Sequence, residues 1–152
     1  MDATLQQRLD SIDWAAYHTA YGPAVKVPDQ LLELACGGQG AMNASHALWC
    51  GLCHQHAYVS SAALPALPFI LEALDRADEA LTVEILDILS GFASCTRPEA
   101  GGEALPWINE LRRRVVECLP RLQELTAHPN DDIADFARLI TEDLQPNKSL
   151  HA

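Results

Sequence analysis

The feature that most restricts this chain is its punctuation. Apolar residues recur three and four positions apart, and Gly, Pro and Asp interrupt that pattern every few turns. Such spacing lines one face of a helix, whereas strands need alternation and tight hairpins need Asn-Gly or Asp-Gly turns. Neither sustained alternation of β-branched and aromatic residues nor either dipeptide occurs here. The sequence predicts an all-α fold.

Leu5, Leu9, Ile12, Ala16 and Ala20 predict a first helix over 4–20, closed by Tyr21-Gly22-Pro23. Pro28 opens a short second helix on Leu31, Leu32, Leu34 and Ala35, which Gly37-Gly38 stops. A third runs over 41–56 on Ala41, Ala44, Leu48, Leu52 and Gln55. A fourth spans 60–76, where Pro65 and Pro68 remove backbone donors and predict a kink or restart near Pro68. Asp78 caps a fifth, with Leu81, Ile85, Ile88, Leu89 and Phe92 facing inward. After a loop over 96–102, a long sixth helix fills 103–127, bent by Pro120. Its Glu110–Arg114, Arg113–Glu117 and Glu117–Arg121 spacings suit surface ion pairs. Asn130 caps the last helix, which buries Ile133, Phe136, Ala137 and Ile140 and ends before Pro146. Residues 1–146 read as one domain and 147–152 as a frayed tail.

Hydrophobic residues make up 49% of the 152, enough to build a core. Ten Lys plus Arg against twenty-one Asp plus Glu leave a net charge of −11. That balance argues against nucleic acid and against anionic membrane surfaces, both of which need basic clusters. No apolar run is long enough to span a bilayer. The polar N-terminal octet lacks the basic start and apolar run of a signal peptide, so a cytoplasmic location is expected. Five cysteines, an odd number, then read as reduced thiols packed between helices.

Short connections predict antiparallel neighbours: 41–56 with 60–76, and 79–95 with 103–127, leaving 131–144 alone. The recurrence of roughly 40–45 residues is that of two-helix solenoid repeats. The run Leu64-Pro65-Ala66-Leu67-Pro68-Phe69-Ile70-Leu71-Glu72-Ala73-Leu74, followed by Asp78 and a new amphipathic segment, resembles a HEAT-like inner helix leading into the next outer helix. His128-Pro129-Asn130-Asp131-Asp132-Ile133 resembles another such start. Trp14, Tyr17 and Tyr21-Gly22-Pro23-Ala24, with His54-Gln55 and Tyr58, are similar to a group of small bacterial HEAT-like proteins. The likeness covers about residues 11–144. It implies a short α-solenoid of about seven helices acting as a scaffold or binding module. Some small acidic HEAT-like proteins resemble immunity proteins, which occupy and silence a partner toxin. Val83-Glu84 and Ile133-Ala134 stand where HEAT repeats often carry Val-Arg, so an inter-repeat Arg–Asp ladder is not expected.

One string carries possible chemistry: Cys50-Gly51-Leu52-Cys53-His54. It matches the C-x-x-C-H of c-type haem attachment, which needs export and an oxidising assembly compartment. His46, Cys50, Cys53 and His54 fall at i, i+4, i+7 and i+8, a stripe of nitrogen and sulfur donors. A single straight helix cannot close a tetrahedron with them, so His18, His56 or Cys36 would have to complete a metal site. As a redox pair, Cys50 and Cys53 lack the helix N-terminus that activates C-x-x-C thiols. The leading expectation is core packing, with no metal and no cofactor. A metal or redox sensor centred on Cys50, Cys53 and His54 is the alternative, and a structural adaptor is a third. The chain has no G-x-S-x-G elbow, H-E-x-x-H or phosphate loop, and its only lysines are Lys26 and Lys148. No enzyme is expected.

Charge layout points to a protein partner. Glu72, Asp75, Asp78, Glu79, Glu84 and Asp87 stand against Arg76 alone, and Asp131, Asp132, Asp135, Glu142 and Asp143 against Arg138. In a repeat stack such acids align into a strip that would dock a basic toxin or effector by mimicking phosphate. The expected contact set is Asp75, Asp78, Glu79, Glu84, Asp87, Asp131, Asp132 and Asp135, with Trp107 as exposed anchor. Trp14, Tyr17, Tyr21 and Trp49 are expected in the core.

Overall fold

A computed structural model describes residues 4–98 and 105–145. Among these the chain is predominantly helical, with eight α-helices and a two-stranded β-pair, so the all-α expectation holds. No helix among the described residues is long and apolar enough to cross a membrane. The rest of the 96–102 loop beyond Pro98, and the tail expected over 147–152, lie outside the described residues.

The first segment departs most from expectation. Helix α1 covers only Leu5–Asp10, opened by a reciprocal capping box between Thr4 and Gln7. The Trp14 indole N–H donates to the Leu9 carbonyl at 2.9 Å and the Ser11 hydroxyl to the Arg8 carbonyl at 2.7 Å, capturing acceptors that a continuing helix would use. A single 3₁₀ turn follows at Trp14–Ala16, and then β1 (His18–Thr19) pairs antiparallel with β2 (Gly22–Pro23). The apolar spacing was helical, but Ser11, Asp13 and Thr19 form hydrogen bonds or turns more readily than helix. Arg8 ties this segment down, pairing with Glu72 and lying 5.0 Å from the centre of the Phe69 ring.

Helix α2 (Val27–Cys36) has Pro28 in its first turn and stops at Gly37, whose φ of 74° suits glycine. Helix α3 (Gly38–Cys53) starts earlier than expected and ends earlier, at Cys53. Helix α4 (Ala63–Arg76) runs unbroken through Pro68, so the expected restart does not occur. Helix α5 (Glu79–Cys95) starts where Asp78 Oδ1 accepts from Leu81 N at 2.9 Å. The long sixth helix is two helices, α6 (Pro106–Val116) and α7 (Leu119–Leu125). The break falls at Glu117–Cys118, because a helix tolerates Pro120 in a first turn and not in its interior. Asn130 Oδ1 caps α8 (Asp131–Leu144), accepting from Asp132 N and Ile133 N. Two of the three expected ion pairs form, Glu110–Arg114 at 2.8 Å and Arg113–Glu117 at 3.2 Å, while Arg121 turns instead to Asp75.

Helix α5 is the centre of the molecule. It packs against α3, α4, α6 and α8, and its buried residues include Leu81, Ile85, Leu86, Ile88, Leu89, Phe92 and Ala93, spread around its circumference. The expected pairing is shifted: α3 packs chiefly on α2 and α5, and α8 on α5 and α7, so no helix stands alone. Two polar ties set α8 parallel to α5. Asn130 Nδ2 donates to Glu79 at 2.9 Å at their N-termini. Arg112 donates to the Ala93 carbonyl at 3.1 Å and the Asp143 carbonyl at 2.7 Å at their C-termini. The guanidinium thus satisfies terminal carbonyls of both helices at once.

At Gly91, α5 comes close to the end of α3. A Cβ there would lie 2.6 Å from Cys53 Sγ and 2.9 Å from both Cys53 Cβ and His56 Cδ2. We therefore expect Gly91→Ala to destabilise the fold by about 1–3 kcal/mol in urea unfolding, through overpacking. A change below about 0.5 kcal/mol would mean that this contact is looser than described.

Candidate functional site

The expected acidic strip is largely engaged within the chain. Asp75 pairs with Arg121, Asp87 with His56 and Asp135 with Arg138. Asp78 caps α5, and Glu79 accepts from Asn130. That last bond places the N-termini of α5 and α8 side by side, so Asp78, Glu79, Asp131 and Asp132 gather there, where helix dipoles favour carboxylates. Glu84 is half-buried further along α5. Trp107 is not the exposed anchor expected of it: it is half-buried and packs against the core, because α6 folds back on α4 and α5.

A second set of residues converges at the C-terminus of α3. His54 leaves the helix with φ 41° and ψ 57°, Gln55 follows with φ 55° and ψ 41°, and His56 with φ 69°. Left-handed backbone at non-glycine residues costs on the order of 1–2 kcal/mol each. Surrounding contacts hold the turn. Ala57 N donates to the Cys53 carbonyl at 3.1 Å and Ser60 N to the Leu52 carbonyl at 2.9 Å. His56 Nε2 lies 2.8 Å from both the Asp87 carbonyl oxygen and Asp87 Oδ1, and its ring fits over Gly91. Trp49 meets the His56 ring edge-on at 6.0 Å.

This turn swings the His54 ring between two tyrosines, 6.1 Å from Tyr21 and 4.9 Å from Tyr58. Tyr21 is 69% exposed and Tyr58 48%, with Val25 exposed nearby in sequence to Tyr21. Tyr21 was expected in the core with Trp14, which is indeed buried. Its place at the β1–β2 turn, before Gly22-Pro23, is the sequence signal for exposure. The Tyr21 phenol is held above its ordinary pKa, first by desolvation and then by the adjoining Cys50 and Tyr58. Beside Tyr21 opens a cleft of ≈ 360 Å³, whose walls include Val25, Lys26, Gln30, Ala47 and Cys50.

The Cys–His stripe divides rather than converges. Cys53 points inward, its thiol donating to the Trp49 carbonyl at 3.3 Å, and burial pushes its pKa up to about 12. Cys50 faces His46 across 3.7 Å, and His54 is carried off the stripe by the left-handed turn. Among the described residues no three His, Cys, Asp or Glu side chains form a metal-holding set.

The chain matches no protein-family profile, no curated protein and no solved structure.

Gln55 is exposed and, among the described residues, its side chain takes part in no hydrogen bond or ion pair, so it isolates the backbone cost. Gln55→Gly is expected to stabilise the protein by about 0.5–1 kcal/mol in urea unfolding, since glycine adopts this region freely but loses more entropy on folding. A loss of stability would show that Gln55 is not held in a costly conformation.

Proposed function

We propose that this protein is a non-catalytic binding module that occupies and neutralises a basic protein partner, in the manner of an immunity protein acting on a toxin or effector in the cytoplasm. The observation that carries this reading is the Tyr21–His54–Tyr58 cluster, in which two exposed tyrosines flank a half-buried His54 held by a costly backbone turn. Exposed aromatics on rigid supports are the residues that anchor protein interfaces. Strained segments that persist also concentrate at functional sites.

The scaffold in this reading is a short α-solenoid of HEAT-like hairpins. Helices α2 and α3, α4 and α5, and α7 and α8 would form the pairs, since each couple packs together. The successive packing of α3 on α5 and α5 on α8, with α8 parallel to α5, supports one row of a stack. The net charge of −11 would steer a basic partner in, and the acids gathered where α5 and α8 begin would dominate that attraction.

The two contributions separate kinetically. With the partner retained by tagged wild-type protein from its source cell, Tyr21→Ser/Tyr58→Ser should raise the dissociation rate about 30-fold, the loss of a hot spot of about 2 kcal/mol. Glu84→Gln/Asp131→Asn/Asp132→Asn should slow association about tenfold at low salt and much less at high salt. A partner that binds both variants at wild-type rates would overturn the proposal, as would a partner with an acidic surface.

A further inference from the structure

The five thiols of this chain are not equivalent. Burial raises Cys53, Cys95 and Cys118 above the ordinary thiol pKa; Cys53 is fully buried, while Cys95 and Cys118 are half-buried, as Cys50 is. Cys36 is exposed in the last turn of α2, where the negative end of the helix opposes a thiolate as it does for Cys50 near the end of α3. Among the described residues no histidine hydrogen-bonds Cys36. Cys50 has a different setting. Its Sγ lies 3.7 Å from His46 Nε2, one turn earlier on α3 and within reach to accept the thiol proton. The same residue lines the ≈ 360 Å³ cleft, together with Lys26, Gln30 and Tyr21. Lys26 puts a cation on the wall of that cleft in a molecule of net charge −11. Val25 and Ala47 supply apolar wall. A thiol with a proton acceptor opens onto a space that suits a small anionic molecule.

We propose that Cys50 is a site of S-thiolation, forming a mixed disulfide with a small carboxylate-bearing thiol whose body occupies the cleft beside Lys26. The reagent is the disulfide of that thiol. His46 Nε2 takes the Cys50 proton, and the thiolate attacks one sulfur of the disulfide. The Cys50–sulfur bond forms as the reagent's S–S bond breaks. The departing sulfur leaves with the bonding electron pair and takes the proton from the imidazolium. One thiol is released for each adduct formed, and no other oxidant is involved. The inference stands apart from the binding reading, although Tyr21 borders both the cleft and the aromatic cluster.

The test treats the folded full-length protein with oxidised glutathione and, separately, with uncharged 2-hydroxyethyl disulfide. Intact mass and peptide mapping follow the adducts over time. The proposal expects one dominant adduct, at Cys50, forming about tenfold faster than any at Cys36. Lys26→Ala should slow the glutathione reaction about threefold and leave the uncharged reagent unaffected. His46→Gln should slow both reagents, and Cys50→Ser should remove the dominant adduct while circular dichroism stays unchanged. Absence of an adduct, equal or faster reaction at Cys36, or equal effects of Lys26→Ala on both reagents would overturn it.

Discussion

The close approach of α5 to α3 at Gly91 is the contact on which the rest depends. A side chain at that position would displace Cys53 and the His56 ring together. With glycine there, the two helices meet closely enough for His56 to reach the Asp87 carbonyl and carboxylate one turn earlier on α5. That pair of contacts anchors the end of the left-handed turn, and the turn sets His54 between Tyr21 and Tyr58. A packing detail in the core therefore determines which rings stand at the surface. Since interiors are close-packed, such a contact transmits its geometry rather than absorbing it.

Charge and aromatic contact divide the proposed work by range. The excess of carboxylates acts over several ångströms in solvent and is screened by salt. Most of the named acids are also engaged in capping or pairing within the chain, and surface pairs of that kind contribute roughly 0–1 kcal/mol each. Short-range affinity then falls to the tyrosines, which combine apolar area with a polar tip and few rotatable bonds.

Much of the fold was legible because it rests on local rules. Asp78 and Asn130 cap α5 and α8 as their residue types dictate, Pro28 sits in a first turn, and Gly37 stops α2. What was not legible depends on contacts distant in sequence. The 4–20 segment has helical spacing, yet Trp14 folds back on Leu9, and the following β-pair leaves Tyr21 exposed. Helix α3 looked able to continue to His56, since nothing local forces three left-handed residues after Cys53; their partners, Asp87 and Gly91, lie more than thirty positions on. The Cys–His stripe was visible as a string, but its division followed from where the helix ends. Arg112 carried no signal of its own, because its role is defined by the carbonyls of two other helices.

Nuclear magnetic resonance measures the central claim most directly, through the intraresidue amide–Hα cross-relaxation at His54, Gln55 and His56. Positive φ brings these two protons closer than any helical or extended backbone does. The account predicts intense intraresidue cross-peaks at all three residues in the wild-type protein, and their weakening in Gly91→Ala. Weak cross-peaks of ordinary helical strength across 54–56 in the wild type would contradict it.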